Sequence, residues 1–228
     1  MSSLALMRWL ESAPSRYDAG MRAITLGRVD ALHDAVASAA VPRASARVLE
    51  IGCGTGAVTK RMVARGARVT AIEQNPEMLE QARARVASGD VEWIECTASE
   101  IDSLPLEAFD AVVASLCMSE MSTDERAFVL DQARRRLRTD GCLVLADEVR
   151  PRTRARALLV ITLRAPQAAV GWLVAGSLSR PLRDPGGEIR RAGFVITDRR
   201  EWLAGSLAMI VARPRDPDRA EARAGVRA

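Results

Sequence analysis

The sequence predicts a doubly wound α/β fold: a mostly parallel, seven-stranded sheet with helices on both faces. Three observations predict it. Short apolar strand-like runs alternate with helix-like segments, a glycine-rich turn follows the first run, and two further strand-like runs close the domain.

Taken in order, Ser15 to Ala40 has helical periodicity, with Met21, Val29, Leu32 and Val36 on one face and Ile24 at its margin, until Pro42 breaks the pattern. Arg47 to Ile51 reads as a strand, Gly52 to Gly56 as a turn, and Ala57 to Ala64 as a helix ended by Gly66. Arg68 to Glu73 is a second strand, Pro76 to Ser88 a helix opened by proline, and Val91 to Cys96 a third strand. Phe109 to Ser115, the helix Asp124 to Leu137, and Cys142 to Asp147 continue the alternation. Gly193 to Thr197 and Ser206 to Ala212 are the closing strands. The expected division is a helical lid over 1–45 and a main domain over 46–213. An apolar helical cap over 151–183 follows the fifth strand, and a polar, disordered tail occupies 214–228.

The length of 228 residues and the 48% hydrophobic content suit one sizeable core. The formal charge is +4, but Lys60 is the only lysine, so the excess is arginine and carries little information about a polyanionic partner. Cys53, Cys96, Cys117 and Cys142 form no C-x-x-C pair, which argues against zinc, or any metal site, and against a disulfide framework. With Glu11 and the Ser12-Ala13-Pro14-Ser15 run interrupting any signal-like start, the expected location is cytoplasmic.

A glycine turn between strand and helix brings backbone N–H groups close to a ligand at the positive end of the helix. Gly52-x-Gly54-x-x-Ala57 would serve a dinucleotide as well as S-adenosylmethionine, so the turn alone separates neither. Glu50, two residues before Gly52, suits the ammonium of an amino acid, which NAD lacks. Glu73, closing the second strand, suits two ribose hydroxyls and would repel the phosphate of NADP.

Val48 to Gly56, Phe109-Asp110-Ala111-Val112-Val113, Leu137 to Leu145 and Ala192-Gly193-Phe194 are similar, in order and spacing, to the motifs of class I S-adenosylmethionine-dependent methyltransferases. The resemblance runs from about Tyr17 to Arg213. It implies S-adenosylmethionine as cofactor, held by Gly52, Cys53, Gly54 and Gly56 with Ser115 at the end of the fourth strand. It also implies Glu73 on the ribose, Gln74 and Met78 flanking the adenine, and Thr97 and Ala98 along its edge, with Thr97 standing where the family commonly has aspartate. Arg16-Tyr17-Asp18, Ser115 to Ser122, Asp147-Glu148-Val149-Arg150-Pro151 and Ser179-Arg180-Pro181-Leu182 further resemble corrinoid protein-associated methyltransferases, relatives of the ubiquinone/menaquinone type. That likeness implies a small-molecule or corrinoid-type methyl acceptor and a corrinoid protein as partner.

Methyl transfer from a sulfonium chiefly requires alignment and exclusion of water, and a general base only for acceptors that must lose a proton. Glu120 and Glu148 are the candidate acids or bases, since ligands gather beyond the carboxyl ends of such strands. Glu120 could equally be a charge at the start of the following helix, and Asp147 and Glu148 could pair with neighbouring arginines. Cys117, with no base beside it, reads as a buried thiol, and His33 as structural or exposed. Tyr17 suits a position over the methionine end of the cofactor or packing at the helix start.

Ala157 to Leu178 is almost wholly apolar and flanked by arginines. Arg164, Pro166 and Gln167 at its middle oppose a membrane span and favour two short helices capping the acceptor pocket, with peripheral membrane contact and a lipophilic acceptor as the alternative. Nucleic acid is not expected as a partner, because four Trp, three Phe and one Tyr offer little for stacking and no Asn-Pro-Pro-Tyr-like motif follows the fourth strand. A nicotinamide-dependent oxidoreductase, or a nucleotide-binding module without activity, is the rival from another class.

Overall fold

The computed structural model describes residues 14–151 and 181–215. Most of the expected cap at 151–183, all of the apolar run 157–178 and nearly all of the tail at 214–228 lie outside the described residues. No helix among the described residues is long and apolar enough to cross a membrane.

The described chain runs α1 (Pro14–Ile24), α2 (Arg28–Ala40), β1 (Arg47–Ile51), α3 (Ala57–Val63), β2 (Arg68–Glu73), α4 (Pro76–Arg85), β3 (Val91–Glu95) and β4 (Phe109–Ser115). It continues through α5 (Thr123–Arg136), β5 (Leu137–Glu148), α6 (Pro185–Arg191), β6 (Phe194–Trp202) and β7 (Leu207–Pro214). The seven strands lie in the order β3-β2-β1-β4-β5-β7-β6, with β7 alone running against the others. The chain reverses its direction of travel across the sheet between β1 and β4, the switch point where an open α/β sheet forms its ligand crevice. Register brings the strand ends level there: Ile51 lies beside both Ile72 and Ala114.

Both faces are covered, which explains why the central strands read as unbroken apolar runs. Val48, Val69, Ala111, Val113 and Val144 point toward Leu32 and Val36 of α2, Met62 of α3 and Leu79 of α4. Leu49, Ile72, Val112, Leu143 and Leu145 meet Val129 and Leu130 of α5 and Ile189 of α6 on the other face.

Four expectations are corrected. The first helical stretch is two helices, because Leu26 and Gly27 adopt left-handed φ of 51° and 74°. Buried Thr25 ties the break, its hydroxyl donating to Met21 O at 2.6 Å and accepting from Val29 N at 3.1 Å. The strand expected from Cys142 begins at Leu137: its register against β4 slips between Phe109 and Ala111, so the polar Arg138-Thr139-Asp140 run is taken up as an irregularity inside the strand. The short helix α6 was not expected; Pro185 opens it and Asp184 caps it, accepting from Gly187 N at 2.8 Å. Pro214, placed in the tail, is the last residue of β7, and Arg215 N donates to Gly193 O at 2.8 Å.

Candidate cofactor crevice

The glycine turn leaves β1 with Gly52, Gly54 and Gly56 at φ of 66°, 53° and 75°, backbone that L side chains rarely adopt. The three serve different ends. A Cβ on Gly52 would stand 2.8 Å from Cys117 Cβ, so the turn can pass under the end of β4 only without a side chain. A Cβ on Gly54 would meet nothing within 4 Å, which leaves open space above the loop for a ligand. One on Gly56 would stand 3.0 Å from Ala82 Cβ, so this glycine lets α3 and α4 approach each other. Gly56 lines neither cavity of the crevice.

Two carboxylates flank the turn. Each oxygen of Glu73 takes one backbone N–H, from Gly54 at 2.9 Å and Asn75 at 3.0 Å. An ionised carboxylate has about four acceptor sites, so two remain for a ligand's hydroxyls. Glu50 is 1% exposed and accepts from the Thr59 hydroxyl at 2.5 Å. Among the described residues it makes no ion pair. Burial pushes its pKa up to about 8, and the nearby charge of Glu73 acts in the same direction.

Two cavities of about 330 and 270 Å³ meet over Gly52 and Gly54. Tyr17 and Ser115 border both. Glu50 and Cys53 line the first; Glu73, Gln74, Met78, Thr97, Ala98 and Glu120 line the second. Every expected cofactor residue except Gly56 therefore borders this paired space. The Ser115 hydroxyl is buried there without a hydrogen-bond partner among the described residues. Leu116, next along, has a left-handed φ of 60°, turning the chain sharply out of β4 between the two spaces.

The candidate acids part company. Glu120 is exposed at the end of a 3-10 turn, Met118–Glu120, and borders the second cavity. The helix-start reading of Glu120 is not what the chain adopts, because Ser122 caps α5 and Glu125 completes its capping box. Glu148 lines neither cavity; it is 8% exposed at the end of β5. Its neighbour Asp147, read from sequence as an arginine partner, instead accepts Ser119 N at 3.0 Å and Glu148 N at 2.7 Å. Burial raises the Asp147 pKa to about 6.

Cys117 donates to Ile51 O at 3.3 Å, and burial beside several acids pushes its thiol pKa up, so it remains a protonated packing group. His33 borders the first cavity, with buried Nδ1 unpartnered and its pKa lowered to about 4 by burial. Sequence reasoning passed over Asp18, Thr55 and Arg85, which come together at the edge of the first cavity. Their separation along the chain left no pattern to read.

Residues 48–141 match the family described as methyltransferase domain. Over those residues the chain is similar to methyltransferase domains, and its seven-stranded sheet has the fold of class I methyltransferases. Ribosomal RNA small subunit methyltransferase A of Anaeromyxobacter sp. (strain K) is 40% identical over 88 residues, 38% of this chain and 30% of that protein. Demethylmenaquinone methyltransferase of Clavibacter sepedonicus is 29% identical over 140 residues, 60% of this chain and 55% of that one. The chain thus spans from about a third to about half the length of these curated relatives. Among solved structures, 1,6-didemethyltoxoflavin-N1-methyltransferase of Burkholderia thailandensis, with 1,6-didemethyltoxoflavin and S-adenosylhomocysteine bound, is 21% identical. The likeness has a TM-score of 0.61 and covers 90% of this chain and 91% of that one. The [4+2]-cyclase SpnF shares the fold at a TM-score of 0.63 and 20% identity, covering 82% and 80%.

The crevice fits S-adenosylmethionine, the cofactor that the sequence motifs imply. A buried carboxyl group without a cationic partner among the described residues lies at one end, a half-satisfied carboxylate at the other, and open space above Gly54 between them.

Proposed function

We propose that this chain transfers the methyl group of S-adenosylmethionine to a small-molecule acceptor. The observation that carries the reading is the pair of cavities joined over Gly52 and Gly54, with Glu50 in one and Glu73 in the other. Glu50 binds the ammonium of the amino acid end. Glu73 accepts from the ribose hydroxyls, Gln74, Met78, Thr97 and Ala98 surround the adenine, and Tyr17 and Ser115 border the junction where the two ends meet. The cofactor supplies an electrophilic methyl group, so the protein's work is alignment and exclusion of water. Glu120, beside the second cavity, takes a proton from acceptors that must lose one. Glu148 acts, if at all, from outside the two cavities.

A corrinoid-type acceptor is the second reading. It is favoured by Tyr17 and Asp18 of one string lining the same crevice as Ser115, Leu116, Cys117, Glu120 and Met121 of the other. Reduced cobalt would need no base, so this reading makes Glu120 dispensable. The quinone acceptor in the name of the Clavibacter sepedonicus relative supports a lipophilic variant of the small-molecule reading.

Titration calorimetry with S-adenosylmethionine, S-adenosylhomocysteine and NAD tests the cofactor assignment; binding of NAD alone overturns it. Transfer of an isotopically labelled methyl group is then measured against small nucleophiles, a quinol, a reduced corrinoid and RNA. RNA is assayed at low and high salt, where phosphate contacts must weaken steeply. Labelling of RNA alone would refute the small-molecule reading.

A further inference from the structure

Asp18, Thr55 and Arg85 close a ring of three hydrogen bonds across segments distant in the chain. Thr55 Oγ1 donates to Asp18 Oδ1 at 2.8 Å, Arg85 Nη1 donates to Thr55 Oγ1 at 3.0 Å, and Arg85 Nη2 pairs with Asp18 Oδ2. Each member belongs to a different part of the crevice: Asp18 to α1, Thr55 to the glycine turn, Arg85 to the last residue of α4. The Asp18 and Arg85 side chains are 22% and 24% exposed, and Thr55 is buried. Solvent therefore screens this ring less than the surface pairs Arg22–Asp30 and Arg200–Asp198.

The ring has consequences for the residue beside it. Tyr17 directly precedes Asp18 and borders both cavities. Fixing Asp18 onto the turn fixes Tyr17 across the junction between the amino acid and adenosyl ends. The α1 helix leads into α2 through the left-handed Leu26-Gly27 break, so the helix is joined to the domain by a bend and held at its other side by this ring.

We propose that Asp18, Thr55 and Arg85 are positioning residues that strap α1 over the cofactor crevice, so that cofactor exchange requires the ring to open. This rests on the cofactor reading of the crevice. Nothing in it requires any of the three side chains to touch the reacting methyl group.

The test is the dissociation rate of S-adenosylhomocysteine from the full chain, followed by stopped flow with displacing ligand, alongside thermal unfolding of the empty protein. D18N and R85M are expected to dissociate the product about tenfold faster, the loss of a charge-assisted hydrogen bond in a part-buried setting. Should D18N or R85M fail to fold, T55V, which removes only the hydroxyl from the ring, decides the matter in the same way. Unchanged dissociation rates in folded variants overturn the strap while leaving the cofactor site standing. Failure of the wild type to bind S-adenosylhomocysteine overturns both.

Discussion

Glu50 makes a quantitative prediction about cofactor binding. In the empty protein its pKa stands at about 8, raised chiefly by burial. If an ammonium settles beside it, the carboxylate must ionise, and the proton it carried must leave. A group of that pKa is about 1.0 protonated at pH 6, about 0.9 at pH 7 and about 0.8 at pH 7.5. The cofactor's own α-amino group stays protonated over most of that range, since such groups titrate near roughly 7.7 to 8.0. Binding at pH 7 should therefore release about 0.9 proton, and affinity should rise about tenfold from pH 6 to pH 7. The assay is titration calorimetry in buffers of differing ionisation enthalpy, where the slope of observed heat against buffer heat gives the protons exchanged. His33 borders the same cavity and would take up a proton beside the cofactor's carboxylate, with the opposite sign. The difference between wild type and Glu50→Gln isolates the release by Glu50. A difference near zero throughout the window would refute the assignment of Glu50 to the ammonium.

Other consequences are equally measurable. Because the folded pKa of Glu50 lies above its unfolded value of 4.5, its contribution to stability is complete below pH 4.5 and is lost as pH rises through about 8. Glu50→Gln should thus stabilise the empty protein at pH 7 by an amount on the order of 3 kcal/mol, read from denaturant unfolding, and flatten that pH dependence. Glu73→Ala should weaken cofactor binding by about 1 to 3 kcal/mol, because ribose hydroxyls and two backbone N–H groups lose their acceptor, and unchanged affinity would mean the ribose is held elsewhere. Gly52→Ala should cost both stability and cofactor affinity, its Cβ meeting Cys117 Cβ at 2.8 Å, and wild-type unfolding and binding curves would contradict that. Glu120→Gln should lower turnover at unchanged cofactor affinity with an acceptor that must lose a proton, and leave turnover with a reduced corrinoid unaffected. Liposome flotation addresses the 157–178 run: recovery wholly in the soluble fraction removes the membrane-contact reading.

Most strands and helices were legible because their burial is two-sided and local. Val48 and Leu49 face opposite cores, and the strand composition records both. The Leu26-Gly27 break was missed since the apolar periodicity of Met21, Val29 and Leu32 continues through it, while the φ values that interrupt the helix leave no trace in hydrophobic pattern. The irregular start of β5 was missed for the converse reason: Arg138, Thr139 and Asp140 carry no strand pattern, yet backbone pairing at Leu137 retains them in the strand.

The sequence by itself determined the layered fold, the glycine turn and the two acids beside it, because strand period, left-handed backbone and a carboxylate at a strand end are properties of short windows. Tertiary structure alone decided how those acids differ. Glu50 is a buried carboxyl group without a cationic partner among the described residues, whereas Glu73 already holds two N–H groups, and burial depends on what the rest of the chain lays over each. It also decided that Gly56 serves helix packing, that Asp147 secures the loop bearing Glu120, and that Asp18, Thr55 and Arg85 meet at all. Contacts between distant segments arise from the closing of the sheet and its helices, and no local spacing encodes them.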